Sequence, residues 1–256
     1  MSVTSSDSTV IDSQRSRRRI WGTIGTPLFA AAVLVCLWLW TSSRELDSIE
    51  AQSLNLPYIL SKTGEHIALT TYSTLIVVIV AIPAGILLSR PRMKKLAPIA
   101  LGAANIGQAA PSIAVIILAA MLFGVGIEIA VFALAIYAIL PVLRNTIVGL
   151  QQVDPAIIDA GRGMGFSKTQ ILMRVELPLA VPIILTGLRT ALVLNVGTAT
   201  MAAFVNAGGL GDLVTSGVAL QRSMVLVTGS ALVALLALLL DWMVGLVQRS
   251  LTRMST

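Results

Sequence analysis

The chain has 256 residues, of which 56% are hydrophobic and only 12% charged, with a mean hydropathy of +0.89, and this excludes an ordinary soluble globular domain. A net charge of +6 and a pI near 10.1 would suit nucleic acid, but the basic residues flank apolar stretches, the distribution that orients a protein in a membrane. With Cys36 and His66 the only residues of their kinds, neither a disulfide framework nor a metal site is expected.

The first 19 residues are rich in Ser, Asp and Thr and carry Arg15, Arg17, Arg18 and Arg19. So polar a segment offers too little apolar surface to offset the entropy of ordering, and a disordered basic tail is expected over 1–19. From there the chain reads as all-α and polytopic. A helix needs about 20 apolar residues to cross the hydrocarbon core, and six stretches meet that need, at 20–40, 67–88, 96–123, 127–147, 179–204 and 224–247. Basic residues precede the first span as they would a signal sequence. Its length of about 21 residues and its bulky end, Cys36-Leu37-Trp38-Leu39-Trp40, without a small-residue cleavage site, instead predict a retained helix. Trp21, Trp38 and Trp40 mark its two ends as an interfacial aromatic belt does.

The segments between spans alternate in charge. Arg90, Arg92, Lys94 and Lys95 follow the second span, Arg249 and Arg253 follow the last, and Arg162, Lys168 and Arg174 lie between the fourth and fifth. The other loops carry Glu45, Asp47, Glu50 and Glu65 against Arg44 and Lys62, then Glu128, then Asp212 against Arg222. The positive-inside rule places both termini and the polar island at 154–178 in the cytoplasm. Glu128 begins a helix, where the dipole favours an acid. The chain is expected to divide into a tail over 1–19, an added span and outer loop over 20–61, and a membrane core over 62–250.

Polar groups inside spans are candidates for a solute route. Asn105, Gln108 and Ser112 recur at helical spacing on the third span, with Gly107 and Pro111 loosening that helix. Uncharged polar groups suit a weakly held zwitterion or cation, and they equally suit hydrogen bonding between helices. Arg189 and Asp241 are the ionisable residues placed well inside spans, each two to three turns from its cytoplasmic end, so a structural ion pair is the first reading, ahead of a gate or proton relay. The run Gly208-Gly209-Leu210-Gly211-Asp212 lacks the lysine of a phosphate loop and reads as a tight turn or a close helix approach. Neither paired carboxylates nor a nucleophile beside a base is in sight, so the chain is not expected to be an enzyme.

The island offers more. Asp154-Pro155 is a helix start, an acid to cap free N–H groups followed by a proline that sacrifices no bond at the first position. A helix from there to about Met164 would place Ile157, Ile158, Gly161 and Met164 on one face. Gly165 supplies a left-handed stop, and Ser167 with Gln170 forms a capping box for a second helix that gathers Ile171, Leu172 and Val175 and ends at Pro178. The pattern describes a two-helix knob below the membrane or an amphipathic segment lying on its surface.

Asp159-Ala160-Gly161, then Gly165, then Val175 and Leu177-Pro178 resemble the EAA loop of permease subunits in bacterial ABC importers, whose pattern is E-A-A, three residues, G, nine residues, I-x-L-P. Asp159, Gly161 and Val175 depart from it, for Glu, Ala and Ile. The likeness extends over roughly 62–249, where NIGQAAPSIAV, AIYAILPVLRNTIVGL, ILTGLRTAL and GTATMAAFVNAGGLGD are similar to the branch that imports glycine betaine, choline, carnitine and related osmoprotectants. The resemblance implies a MetI-like helical fold with a first span added to a five-helix core. It also implies a pair of permease subunits (two copies or a copy with a paralogue), two ATP-binding subunits docked on the EAA loops, and an extracytoplasmic substrate-binding protein. On that reading ATP and Mg belong to the partner, this chain has no cofactor, and its surroundings are bacterial inner-membrane lipid, with no role for nucleic acid. The same machinery with another small solute, such as an amino acid, and a self-sufficient secondary transporter using Arg189, Asp241 or Glu128 stand as alternatives. Aromatic residues make up only 5% of the chain, too few to identify a cage for a quaternary ammonium group.

Overall fold

The structure is a computed structural model that describes residues 5–254, with side chains described over 24–250. Among the described residues the chain is helical and contains no strand. Helix α1 spans Ser5–Ser42, α2 Ser48–Ser53 and α3 Leu56–Ser89. They are followed by α4 (Ala97–Ala109), α5 (Ser112–Phe123) and α6 (Ile127–Gln151). The island forms α7 (Pro155–Gly163) and α8 (Lys168–Ile171), and the chain closes with α9 (Leu177–Thr198), α10 (Gly211–Ala219) and α11 (Ser223–Met254). Five of the described segments are long and apolar enough to cross a membrane, at Ile24–Ser42, Leu56–Ser89, Ile127–Gln151, Lys168–Val205 and Ser223–Ser250, and the bent pair α4–α5 makes a sixth if it counts as one.

Three sequence expectations are corrected. The third span is not one helix: its halves meet at 96°. Pro111 disfavours helical geometry in the residue before it, and Ala110 is extended with ψ 144° while Pro111 itself has ψ 128°. Ser112 therefore opens α5 and shares no helix face with Asn105 and Gln108 on α4. Residues 5–19, expected to be disordered, carry helical backbone as an extension of α1, because propagating an existing helix needs no new nucleus; residues 1–4 of that tail lie outside the described ones. The third correction concerns Pro178, which does not end the second arm of the island.

A π turn at Leu172–Glu176 joins α8 to α9, and helical structure continues from Lys168 through a 3-10 segment to Val205. A proline lacks its N–H and its ring crowds the carbonyl four residues back. The wider π turn just before Pro178, in which the Leu177 N–H bonds to the Leu172 carbonyl, absorbs both defects without a break.

The core is built from α3, α6 and α9. Leu69, Ala130, Ala133, Leu134, Ala199 and Ala202 bury together toward one end. Val77, Ala81, Ala135, Ala138, Val142 and Ala191 do so toward the other. So many alanines signify close backbones, the usual way helices hold together where lipid is as apolar as the side chains. A third cluster, Val196, Leu210, Leu213, Val225 and Val233, seats α10 and α11 against α9. Helix α1 is peripheral: Ala30 is buried, while Leu28, Phe29 and Trp38 remain exposed as lipid-facing residues would be.

Candidate coupling loop and intramembrane polar groups

The island folds as its capping residues dictate. Asp154 Oδ1 accepts from the Ala156 N–H at 2.8 Å, and Pro155 occupies the first turn of α7. The helix closes at Gly165, whose φ of +83° only glycine adopts without strain. Its N–H donates to the Arg162 carbonyl at 2.9 Å and the Phe166 N–H to the Gly161 carbonyl at 3.1 Å, the paired bonds of a Schellman stop. Ser167 and Gln170 then form a reciprocal capping box for α8.

The resemblance residues fall on this frame as follows. Asp159 and Arg162 form an ion pair at 2.7 Å on the solvent face, each about two-thirds exposed. Ala160 is exposed and Gly161 buried. A methyl group on Gly161 would lie 3.7 Å from Ile171 Cγ1 and 3.8 Å from Phe166 Cδ2, ordinary contacts, so the alanine of the EAA pattern would fit here. Val175 and Leu177 are half-buried and Pro178 exposed. Ile157, Met164 and Met173 leave much of their apolar surface open on the knob.

Within the spans, the Arg189 guanidinium donates from Nε and Nη2 to the two carboxylate oxygens of Asp241, a bidentate pair joining α9 to α11. Gly245, one turn beyond Asp241, lies against the guanidinium, where a methyl group would sit 3.7 Å from Arg189 Cζ. Of the three candidates for a solute path, Gln108 has a structural partner. Pro141 inside α6 cannot donate to the carbonyl four residues back, that of Tyr137, and Gln108 Nε2 donates to this oxygen at 3.3 Å. Asn105 is exposed on α4 and Ser112 half-buried at the start of α5, so the structure does not bring the three together on one surface.

Residues 81–253 match the protein family described as "Binding-protein-dependent transport system inner membrane component". The chain belongs to this family.

This permease is 38% identical over 194 residues to the glycine betaine/carnitine/choline transport system permease protein OpuCB of Bacillus subtilis (strain 168), a match covering 76% of this chain and 88% of that one. It is 36% identical over 224 residues to the osmoprotectant import permease protein OsmY of Salmonella typhimurium, covering 88% and 94%. Among solved structures it resembles the inward facing MetNI methionine ABC transporter with a TM-score of 0.69 at 24% identity, over 77% of this chain and 99% of that one, a likeness of fold alone. Membership makes the permease a multi-pass inner-membrane component of an ABC importer, from a family of non-catalytic permease subunits that work with ATP-binding subunits and a substrate-binding protein. A self-sufficient secondary transporter is thereby set aside.

Several polar contacts of the permease were not legible beforehand. Arg90 and Glu176, 86 residues apart, pair at 2.5 Å. Lys62 bridges Glu65 at 2.9 Å and Asp212 at 2.7 Å, and Glu65 Oε2 also accepts from the Gly209 N–H at 2.8 Å, which fastens the glycine-rich turn to α3. His66 is fully buried with its Nε2 3.0 Å from the Val196 carbonyl, and Asn195 Nδ2 donates to Thr74 Oγ1 at 3.1 Å. The alternation of loop charges was a usable signal for Lys62 with Asp212, both on one side by that rule. For His66 and Asn195 the sequence offered none.

Proposed function

We propose that this permease is the translocating subunit of an ATP-driven importer of osmoprotectants such as glycine betaine, carnitine or choline. The observation that carries the reading is the agreement among relatives of 35–38% identity: those named for glycine betaine, carnitine and choline, for choline, for carnitine, and for osmoprotectant import all cover three quarters or more of the chain. Two permease subunits, identical or paralogous, flank the route, and two ATP-binding subunits dock on their knobs. ATP and Mg are bound by those partners and not by this chain. Both termini and the knob face the cytoplasm, in keeping with the basic residues at Arg90–Lys95, Arg162, Lys168 and Arg249. Asp159 offers its charge to a basic group on the ATP-binding subunit, while Ala160, Gly161, Gly165, Val175, Leu177 and Pro178 shape the knob that carries it. Asn105, exposed on α4, faces the route that a second permease completes; Ser112 lines its bend, and Gln108 holds the broken span to α6.

The substrate class is tested by expressing the permease with its ATP-binding and substrate-binding partners in cells lacking other osmoprotectant uptake. Accumulation of labelled glycine betaine, choline or carnitine is expected at high osmolarity, and accumulation of an amino acid alone would overturn the assignment. The docking role has its own test. Gly165→Pro demands a φ near −65° where the backbone needs +83°, and Asp159→Lys inverts the exposed charge. Each is expected to lower uptake per ATP hydrolysed by about tenfold, a coupling change on the scale of 1–2 kcal/mol, with the spans still inserted. Normal ratios in both variants would show that the knob is not the coupling element.

A further inference from the structure

The two arms of the knob meet the membrane differently. Helix α7 hangs below α6 through the short link after Gln151, whereas the second arm runs into α9 without a break. A force on the knob reaches α9 through the backbone itself. Helix α3 packs in the same core as α6 and α9 but has no such connection to the knob.

Glu176 supplies one. It closes the π turn at the point where the arm becomes a span, it is only 7% exposed, and it accepts from Arg90 Nη2 at 2.5 Å. Arg90 is the C-cap of α3, with its backbone held extended at ψ 145° by the following Pro91. Its Nε donates to the Ile86 carbonyl at 3.3 Å, which directs the guanidinium along the helix end, where the dipole favours a cation. We propose that Arg90 and Glu176 form the joint through which movement of the knob is passed to α3, so that α3 and α9 move together when the ATP-binding subunits close. The inference rests on the docking role proposed for the knob.

Two features favour a joint over an incidental contact. A half-open cleft of about 350 Å³ lies beside the pair, lined also by Arg162, Lys168, Thr169 and Ile171 of the knob and by Pro91, so the ion pair ties α3 to the second arm at the edge of open space and not inside a packed seam. The acid is also buried, and a buried carboxylate that loses its partner is strongly disfavoured, so the contact persists while the parts around it move.

The complete transporter, reconstituted in lipid vesicles with its binding protein, reads uptake per ATP hydrolysed. Glu176→Gln is expected to lower this ratio about tenfold, within the range of a coupling residue. Exchanging the charges, Arg90→Glu with Glu176→Arg, is expected to recover most of it; an exchanged pair no better than Glu176→Gln overturns the joint. Because Glu176→Gln leaves Arg90 unpaired, Arg90→Gln with Glu176→Gln guards against a folding defect by removing both charges. That double variant is expected to assemble and still show the lowered ratio. If it transports with the wild-type ratio, or does not assemble, the pair is a folding contact and the joint is refuted. Gly165→Pro and Asp159→Lys run alongside separate the two readings: normal ratios in both sink the docking role and the joint with it, whereas a lowered ratio in either with wild-type behaviour of the pair variants sinks the joint alone.

Discussion

Gly187→Leu is expected to leave little folded permease in the membrane. A side chain at Gly187 would start 2.6 Å from the Pro141 carbonyl oxygen and 2.7 Å from Asn145 Cβ, both belonging to α6, the central partner of α9. Neither can retreat cheaply. The Pro141 carbonyl also accepts from Asn145 Nδ2 at 3.0 Å, so oxygen and side chain are held in place by each other. The helices themselves must separate, and overpacking of this kind costs about 1–3 kcal/mol even where a core can adjust. Gly187→Ala should be intermediate. Yield in membrane extracts and the melting temperature of the solubilised complex measure the effect; a leucine variant with wild-type values for both would mean that α6 and α9 are not so closely apposed.

Arg189→Ala is expected to impair assembly more than it changes which solutes are carried. The substitution strands the Asp241 carboxylate inside a span, where an unpaired acid costs about 3 kcal/mol on the scale that governs helix insertion. The bidentate geometry of the pair means that lysine cannot replace the arginine in full. Arg189→Met with Asp241→Leu removes both charges and should recover much of the lost stability, as paired replacement of buried ions often does. Assembly is read from co-purification of the ATP-binding subunits, and selectivity from competition among labelled and unlabelled solutes. A well-assembled Arg189→Ala transporter with an altered solute range would place the pair on the route instead of in the frame.

How much could be read in advance differed between parts of the chain. Hydropathy located the spans because the bilayer sets one length for all of them, and Asp154, Gly165 and Ser167 announced the knob because capping is a local matter of a few residues. The bend at Pro111 was hidden by the same hydropathy: an apolar stretch of 28 residues at 96–123 scores alike whether straight or broken, and only the geometry of Ala110 distinguishes the two. Pro178 misled in the opposite direction, since the π turn that lets a helix pass a proline has no simple residue signature. Glu176 stood unnoticed at the variable position of the I-x-L-P pattern, and its partner lies 86 residues away, beyond the reach of any local rule. Gln108 stands out in the sequence as a polar group within a span, yet its bond to the Tyr137 carbonyl follows from a proline on another helix.

The unbroken run from Lys168 to Val205 has a mechanical consequence. At about 1.5 Å per residue its 38 residues trace a helical path of roughly 57 Å, longer than the roughly 30 Å of hydrocarbon in a bilayer, enough for one continuous piece of secondary structure to reach past both faces. If it pivots near its inner end, a tilt of roughly 5° sweeps the far tip through about 5 Å, since the sweep scales with rod length. Near that far end lie Asn195, bonded to Thr74, and the Val196 carbonyl, which meets His66. A lever of this length would turn a small angular displacement at one end into several ångströms of movement at the other.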